Sequence, residues 1–132
     1  AALYHDAPEI LTGALPTPNK YYDPEIRAAY KKVEEFSAGK LLAMLPDQLR
    51  PAFSPLLRED YDPDTKALVK AADKLSAHIK CLEELKAGNR EFQQAARQTL
   101  EALKSYNLPE VDYFLEHFLP AFGMTLDEMG RE

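Results

Sequence analysis

Thr65-Lys66-Ala67-Leu68-Val69-Lys70-Ala71-Ala72-Asp73-Lys74-Leu75-Ser76-Ala77-His78-Ile79-Lys80-Cys81-Leu82-Glu83-Glu84-Leu85-Lys86-Ala87, followed by Gly88, is the most regular stretch of the chain. Leu68, Ala72, Leu75, Ile79, Leu82 and Leu85 recur at intervals of three and four, the spacing of one face of an α-helix. The intervening lysines and acids alternate, as on a solvated helix face. Asp62-Pro63-Asp64 restarts the chain ahead of it, Asp64 or Thr65 supplies the N-cap, and Gly88 is a suitable C-terminal stop. A helix is expected over about 65–87.

Helical spacing continues on both sides of this stretch, and no period-two alternation lasts long enough for a strand. Upstream, Asp23-Pro24-Glu25 has the order of a helix start: an acidic cap, proline at the first helical position, and an acid in the first turn. That helix runs to about Leu45, with Ile26, Tyr30, Val33, Phe36, Leu41 and Leu45 available for burial, and Pro46 ends it. A shorter helix over roughly 46–58 is tightened by Pro51 and Pro55. Downstream, Asn89 caps a helix to about Tyr106 with Phe92, Ala95, Ala96, Leu100 and Leu103 inward. Pro109 opens another that carries Val111, Phe114, Leu115, Phe118 and Phe122. Gly123-Met124-Thr125 breaks it, and Thr125 to Glu128 has the pattern of a capping box. The fold class is all-α, a bundle of about five to six helices, read as a single domain over residues 1–132.

The chain has 132 residues, of which 45% are hydrophobic, a globular value that argues against disorder. Its formal charge of −6 and pI near 5.1 come without a basic stripe. Polymeric DNA and RNA are therefore disfavoured as partners. A single nucleotide is not, because a cation can bind its phosphate without net positive protein charge. The lone cysteine, Cys81, forbids an intramolecular disulfide and reads as a small core residue in a reducing compartment. Apolar runs fall short of a membrane span and no signal-peptide pattern is visible, so the expected location is the cytosol. Ala1-Ala2-Leu3-Tyr4 reads as the middle or end of a helix without its cap, which suggests that residues precede it.

Three places carry chemistry. His5-Asp6 sits at a helix end or turn, where adjacent side chains about 100° apart in a helix can reach one cation. Glu9 follows His5 by one turn on a similar azimuth. An imidazole with carboxylates suits Mn, Co, Fe, Ni or Zn rather than Mg alone. On spacing alone, an HD dipeptide arises often by chance, and a polar helix terminus is the simpler reading. The second place is the loop that follows, 13–19, with Pro16 and Pro18, where a Pro-stiffened connector and a substrate-contacting loop are equally compatible with composition. The third is Asp73, off the apolar line near Val69, Ser76, Ala77 and Lys80; among Lys66, Lys70 and Lys74 it also reads as a surface aspartate.

Tyr4-His5-Asp6-Ala7-Pro8-Glu9-Ile10-Leu11-Thr12-Gly13, then Leu15-Pro16-Thr17-Pro18 and Lys20-Tyr21, resembles the signature of bacterial YfbR-type HD-domain 5′-deoxynucleotidases. Leu68-Val69-Lys70-Ala71-Ala72-Asp73, Lys80-Cys81-Leu82-Glu83-Glu84-Leu85, Asp112-Tyr113-Phe114 and Leu126-Asp127-Glu128 are similar to later blocks of the same family. The blocks fall in order and cover essentially the whole chain. The resemblance implies a divalent transition metal such as Co, Mn or Zn, held by His5, Asp6, Asp73 and a further His. It implies that Glu9 orients or deprotonates the attacking water. Ala14, Leu15, Pro16 and Thr17 are implied to contact the nucleotide, with Asp6 and Asp73 also touching its phosphate. The implied reaction releases phosphate from a 2′-deoxynucleoside 5′-monophosphate, in a cytoplasmic homodimer.

Two departures stand out. The family's first His and its Arg-aromatic pair, on an upstream helix, have no counterpart here, so the chain resembles the family with its N-terminal helices missing. Ala14 replaces an acid. His78 and His117 lie in no matching block and are not assigned as the fourth ligand. The rival readings are an HD phosphohydrolase for another phosphoester and a non-catalytic helical interaction module.

Overall fold

A computed structural model describes residues 1–14 and 23–130. Every regular element among them is helical, so the chain is all-α. After a 3-10 turn at Ala2–Tyr4 come α1 (Glu9–Thr12), α2 (Pro24–Met44), α3 (Arg50–Leu57) and α4 (Pro63–Lys86). A second 3-10 turn at Arg90–Phe92 leads into α5 (Gln93–Ser105), then α6 (Pro109–His117), a 3-10 turn at Leu119–Gly123, and α7 (Leu126–Met129). Five of these α-helices have eight residues or more, in line with the number expected. The chain divides into two compact units, Ala1–Lys66 and Ala67–Glu132.

In the first unit, α2 starts where the residues dictate. Asp23 is extended and its carboxylate accepts the Glu25 N–H at 2.6 Å, with Pro24 in the first turn. The core is Ala38, Leu42 and Leu57, wrapped by Tyr4, Ala7, Leu41, Leu45 and Phe53. Tyr4 meets Phe53 edge to face at 5.5 Å, which holds the N-terminal turn against α3.

The buried line of α2 differs from the expected one. Ser37, Ala38 and Leu42 are buried, whereas Val33 is 46% and Phe36 63% exposed, and Ile26 is exposed too. Burial follows contact with α3 and the N-terminal turn, and small side chains let those backbones approach. Lys40 lies over the exposed Phe36 ring at 4.9 Å. The last carbonyls of α2 run short of helical N–H donors; Leu42 O accepts the Leu45 N–H at 3.1 Å, and Arg50 adds donors to this end. Its Nε donates to Leu42 O at 3.1 Å and Leu45 O at 3.0 Å, and its Nη2 to Ala43 O at 3.1 Å.

The expected helix at 65–87 begins two residues earlier. Asp62 is the cap: its carboxylate accepts from Thr65 N–H at 2.9 Å and from Thr65 Oγ1 at 2.6 Å. Those bonds hold the Asp62 carboxyl below its ordinary value. Proline at the first helical position lacks the N–H that would be unsatisfied there, so Pro63 belongs inside the helix rather than ahead of it.

In the second unit the inner line of α4 is Ala71, His78 and Cys81, with Leu75 packed alongside; Leu68 and Ala72 are exposed. This is a rotation of the face read from the sequence, because a buried histidine and cysteine carried no weight in an apolar count. Ala71 packs with Leu103 and Val111, joined by Leu75, Leu108 and Leu115. Ala96 and Leu103 are the buried positions of α5, as its spacing indicates. Gly88, at φ 90°, ends the preceding segment in the left-handed region.

Helix α6 stops at His117, so Phe118 and Phe122 are not on it. Pro120 has no N–H for the Glu116 carbonyl and its ring would clash there, which diverts the chain into a 3-10 turn. Phe118 and Phe122 are exposed, although their rings stay near Phe114 at 5.4 and 6.3 Å. Thr125 and Glu128 form the expected capping box. No described helix is long and apolar enough to cross a membrane.

Candidate metal centre

The N-terminal segment does not continue as a helix through His5. It makes a 3-10 turn, then turn structure over residues 5–8, then α1, which Gly13 terminates at φ 71°. This break is what lets neighbouring side chains converge, since in a continuous helix they diverge. His5 Nε2 lies 3.1 Å from Asp6 Oδ2, while His5 Nδ1 lies 2.7 Å from Ala2 O. A carbonyl oxygen only accepts, so Nδ1 carries the hydrogen and donates it. The imidazole is thereby oriented by the backbone three residues before it.

That orientation bears on whether a metal fits. A ligating imidazole ordinarily donates its other N–H to a carbonyl or carboxylate, which is the arrangement of His5 and Ala2. With bonds of about 2.1 Å, two ligands at right angles on one cation stand about 3 Å apart. The 3.1 Å between Nε2 and Oδ2 is that separation. A lone-pair nitrogen and a carboxylate oxygen at this distance repel each other unless a proton or a cation lies between them. The two donors therefore fit a divalent ion.

His5, Asp6 and Glu9 line one open cleft of about 140 Å³ in the first unit. It is also lined by Lys31, Glu34 and Glu35 of α2 and by Arg58 and Glu59, which follow α3. The Arg58 guanidinium is paired with Glu35. Glu59 has a positive φ of 52°, uncommon for a residue with a side chain, so the backbone turns sharply at this lining residue. These α2 and α3 residues were not anticipated. Lys31, Glu34, Glu35 and Ala38 stand at helical spacing, so the stripe was visible in the sequence. Nothing local says that it faces the HD turn.

The remaining expected residues are placed as follows. Ala14 is exposed, beside Gly13, whose carbonyl accepts from Tyr30 Oη at 3.1 Å. Leu15, Pro16 and Thr17 lie outside the described residues. Asp73 stands on the exposed side of α4 in the second unit. Among the described residues no group of three or more His, Cys, Asp or Glu side chains is gathered closely enough to hold a metal. His5 and Asp6 stand 3.1 Å apart.

The other histidines have different surroundings. His78 is buried, with Nδ1 2.9 Å from Thr99 Oγ1. The Thr99 hydroxyl donates to Ala95 O at 2.8 Å, so its oxygen accepts from His78. Burial holds the His78 imidazole below its ordinary value, the Ala96 backbone opposing in part. His117 is exposed and lies against the Tyr113 ring at 4.4 Å.

Comparison with known proteins adds an independent line. The family model described as "5′-deoxynucleotidase YfbR-like" matches residues 1–122. A 5′-deoxynucleotidase of Vibrio cholerae is 50% identical over 130 residues, 98% of this chain and 67% of that protein. One from Erwinia tasmaniensis is 48% identical over 132 residues, 99% of this chain and 67% of the relative. Another, from Vibrio atlanticus, is 48% identical over 129 residues, 97% of this chain and 66% of its own length. The chain thus spans about two thirds of the length of these relatives, and the match runs through the HD turn and α4 alike. It belongs to the YfbR-like 5′-deoxynucleotidase family.

Proposed function

We propose that this chain is the metal-dependent phosphohydrolase part of a 5′-deoxynucleotidase, releasing phosphate from 2′-deoxynucleoside 5′-monophosphates. The observation that carries this reading is the 3.1 Å approach of His5 Nε2 to Asp6 Oδ2, with Glu9 in the same cleft, in a member of this family. His5 and Asp6 hold a divalent transition metal such as Co, Mn or Zn, and the family resemblance adds Asp73 as a further ligand. When bound, the cation supplies a Lewis acid that makes water acidic and screens phosphate charge. Glu9 takes the water's proton as the water oxygen attacks phosphorus, in line with the departing 5′ oxygen. The P–O5′ bond breaks, the 5′ oxygen leaves as the nucleoside hydroxyl after gaining a proton, and inorganic phosphate is released. Asp6, Asp73 and the segment from Ala14 through Leu15, Pro16 and Thr17 contact the nucleotide. Residues 1–132 work as one domain, and the protein acts in the cytoplasm as a homodimer.

The test is phosphate release by the whole purified protein, loaded with Co or Mn, from dAMP, TMP and AMP. Hydrolysis of the two deoxynucleotides with AMP left largely intact is the expected result. Equal turnover of AMP removes the deoxy preference, and no turnover of any of the three defeats the reading. Glu9→Gln should lower kcat by about 100-fold or more with metal content unchanged, since it removes the proton acceptor and not a ligand.

A further inference from the structure

The cleft is strongly acidic for a site that must receive a phosphate dianion. Asp6, Glu9, Glu34, Glu35 and Glu59 all line it, against two cations, Lys31 and Arg58. Arg58 is engaged by Glu35. Among the described residues, no carboxylate is within ion-pair distance of Lys31. Among the described residues, Lys31 is therefore the cleft cation with no carboxylate paired to it.

Its position suits an anion. Lys31 lies on α2 and lines the same cleft as His5, Asp6 and Glu9. A lysine ammonium is a compact point charge with three donors on a flexible four-carbon stem, which can follow a phosphate oxygen through a reaction without fixed bidentate geometry. A phosphate monoester entering a cleft lined by carboxylates is attracted and oriented by a positive charge in the same cleft. A glutamate-lined wall with no such charge would favour cations over phosphates.

We infer that Lys31 is a substrate-binding residue, its ammonium contacting a non-bridging oxygen of the 5′-phosphate in the cleft it shares with the HD pair. This inference rests on the function proposed above and assigns α2, beyond the HD turn, a part in phosphate recognition. A lysine that is merely solvated on the helix surface would leave phosphate binding untouched.

The experiment uses the whole metal-loaded protein and its Lys31→Met and Lys31→Arg variants. The quantities read are kcat and KM for dAMP, competitive inhibition by inorganic phosphate, metal content, and the unfolding midpoint. Lys31→Met should raise both KM and the phosphate inhibition constant about tenfold, the weight of one charge-assisted hydrogen bond. Its metal content and unfolding midpoint should match the parent protein, and Lys31→Arg should restore most of the lost phosphate affinity. If KM and phosphate inhibition are unchanged in Lys31→Met, the inference fails while the functional reading stands. A fall in kcat alone, with phosphate inhibition intact, also overturns it. If the parent protein releases no phosphate from dAMP, the functional reading fails and takes this inference with it.

Discussion

His5 and His78 are chemically the same residue placed in opposite settings. At His5 the Nδ1–H is held by Ala2 O, and Nε2 faces a carboxylate. At His78 the ring is buried and its Nδ1 bonds to Thr99. The second setting disfavours the charged form, so the folded chain resists a proton that the unfolded chain accepts. Above the ordinary His value of 6.5, both states are neutral at this site and it adds no pH dependence. As pH falls below 6.5, the unfolded state binds the proton first, and stability declines until the lower folded-state value is passed. Urea unfolding of the whole protein between pH 7.5 and pH 5 should therefore show stability lost on acidification. His78→Gln should flatten that dependence even if it lowers stability overall, and an unchanged slope would show that other groups set it. Neither setting was legible from residue type. Histidine titrates near neutrality by default, and only its neighbours decide whether it serves a cation or fills a core.

At the scale of elements, the helix starts and stops were the most readable features and the buried faces the least. Asp23-Pro24, Gly88 and the box at Thr125 and Glu128 act over three or four residues, so their chemistry is complete in the local sequence. Asp62 shows how small the errors were: the cap lies two residues ahead of the expected one because proline prefers the first helical position. The Arg50 cap of α2 is different. It reaches back five to eight residues across the bend at Pro46, and its charge gave no hint of that use. Arg50 also pairs with Asp47 at 2.7 Å, but that contact is exposed and adds little. Arg50→Ala should destabilise the protein by about 1–3 kcal/mol through the lost carbonyl partners. Asp47→Ala should stay within about 0.5 kcal/mol of the parent. Comparable losses in the two variants, measured by urea unfolding, would assign the effect to the ion pair instead.

For the whole molecule, the proposed metal ligands are far apart in the sequence, His5 and Asp6 near the start and Asp73 in α4. A metal that binds the folded state adds to stability according to its free concentration and affinity. Chelation should then abolish phosphate release and lower the thermal midpoint together, and restoring Co or Mn should return both. Asp73→Ala should reproduce the metal-free behaviour without chelator; full metal content in that variant would remove Asp73 from the ligand set. The sequence by itself determined the all-α class, the helix boundaries to within a few residues, and, through several blocks in order, the family. Each depends on local spacing or on matched strings, and neither needs a partner segment. Tertiary structure alone decided which faces are buried: Phe36 lies outward while Ser37, Ala38 and His78 lie inward. It also decided that α2 and the end of α3 wall the cleft beside His5 and Asp6. The physical reason is that burial is set by where other segments dock. Hydrophobicity ranks candidates for that contact, but only packing chooses among them.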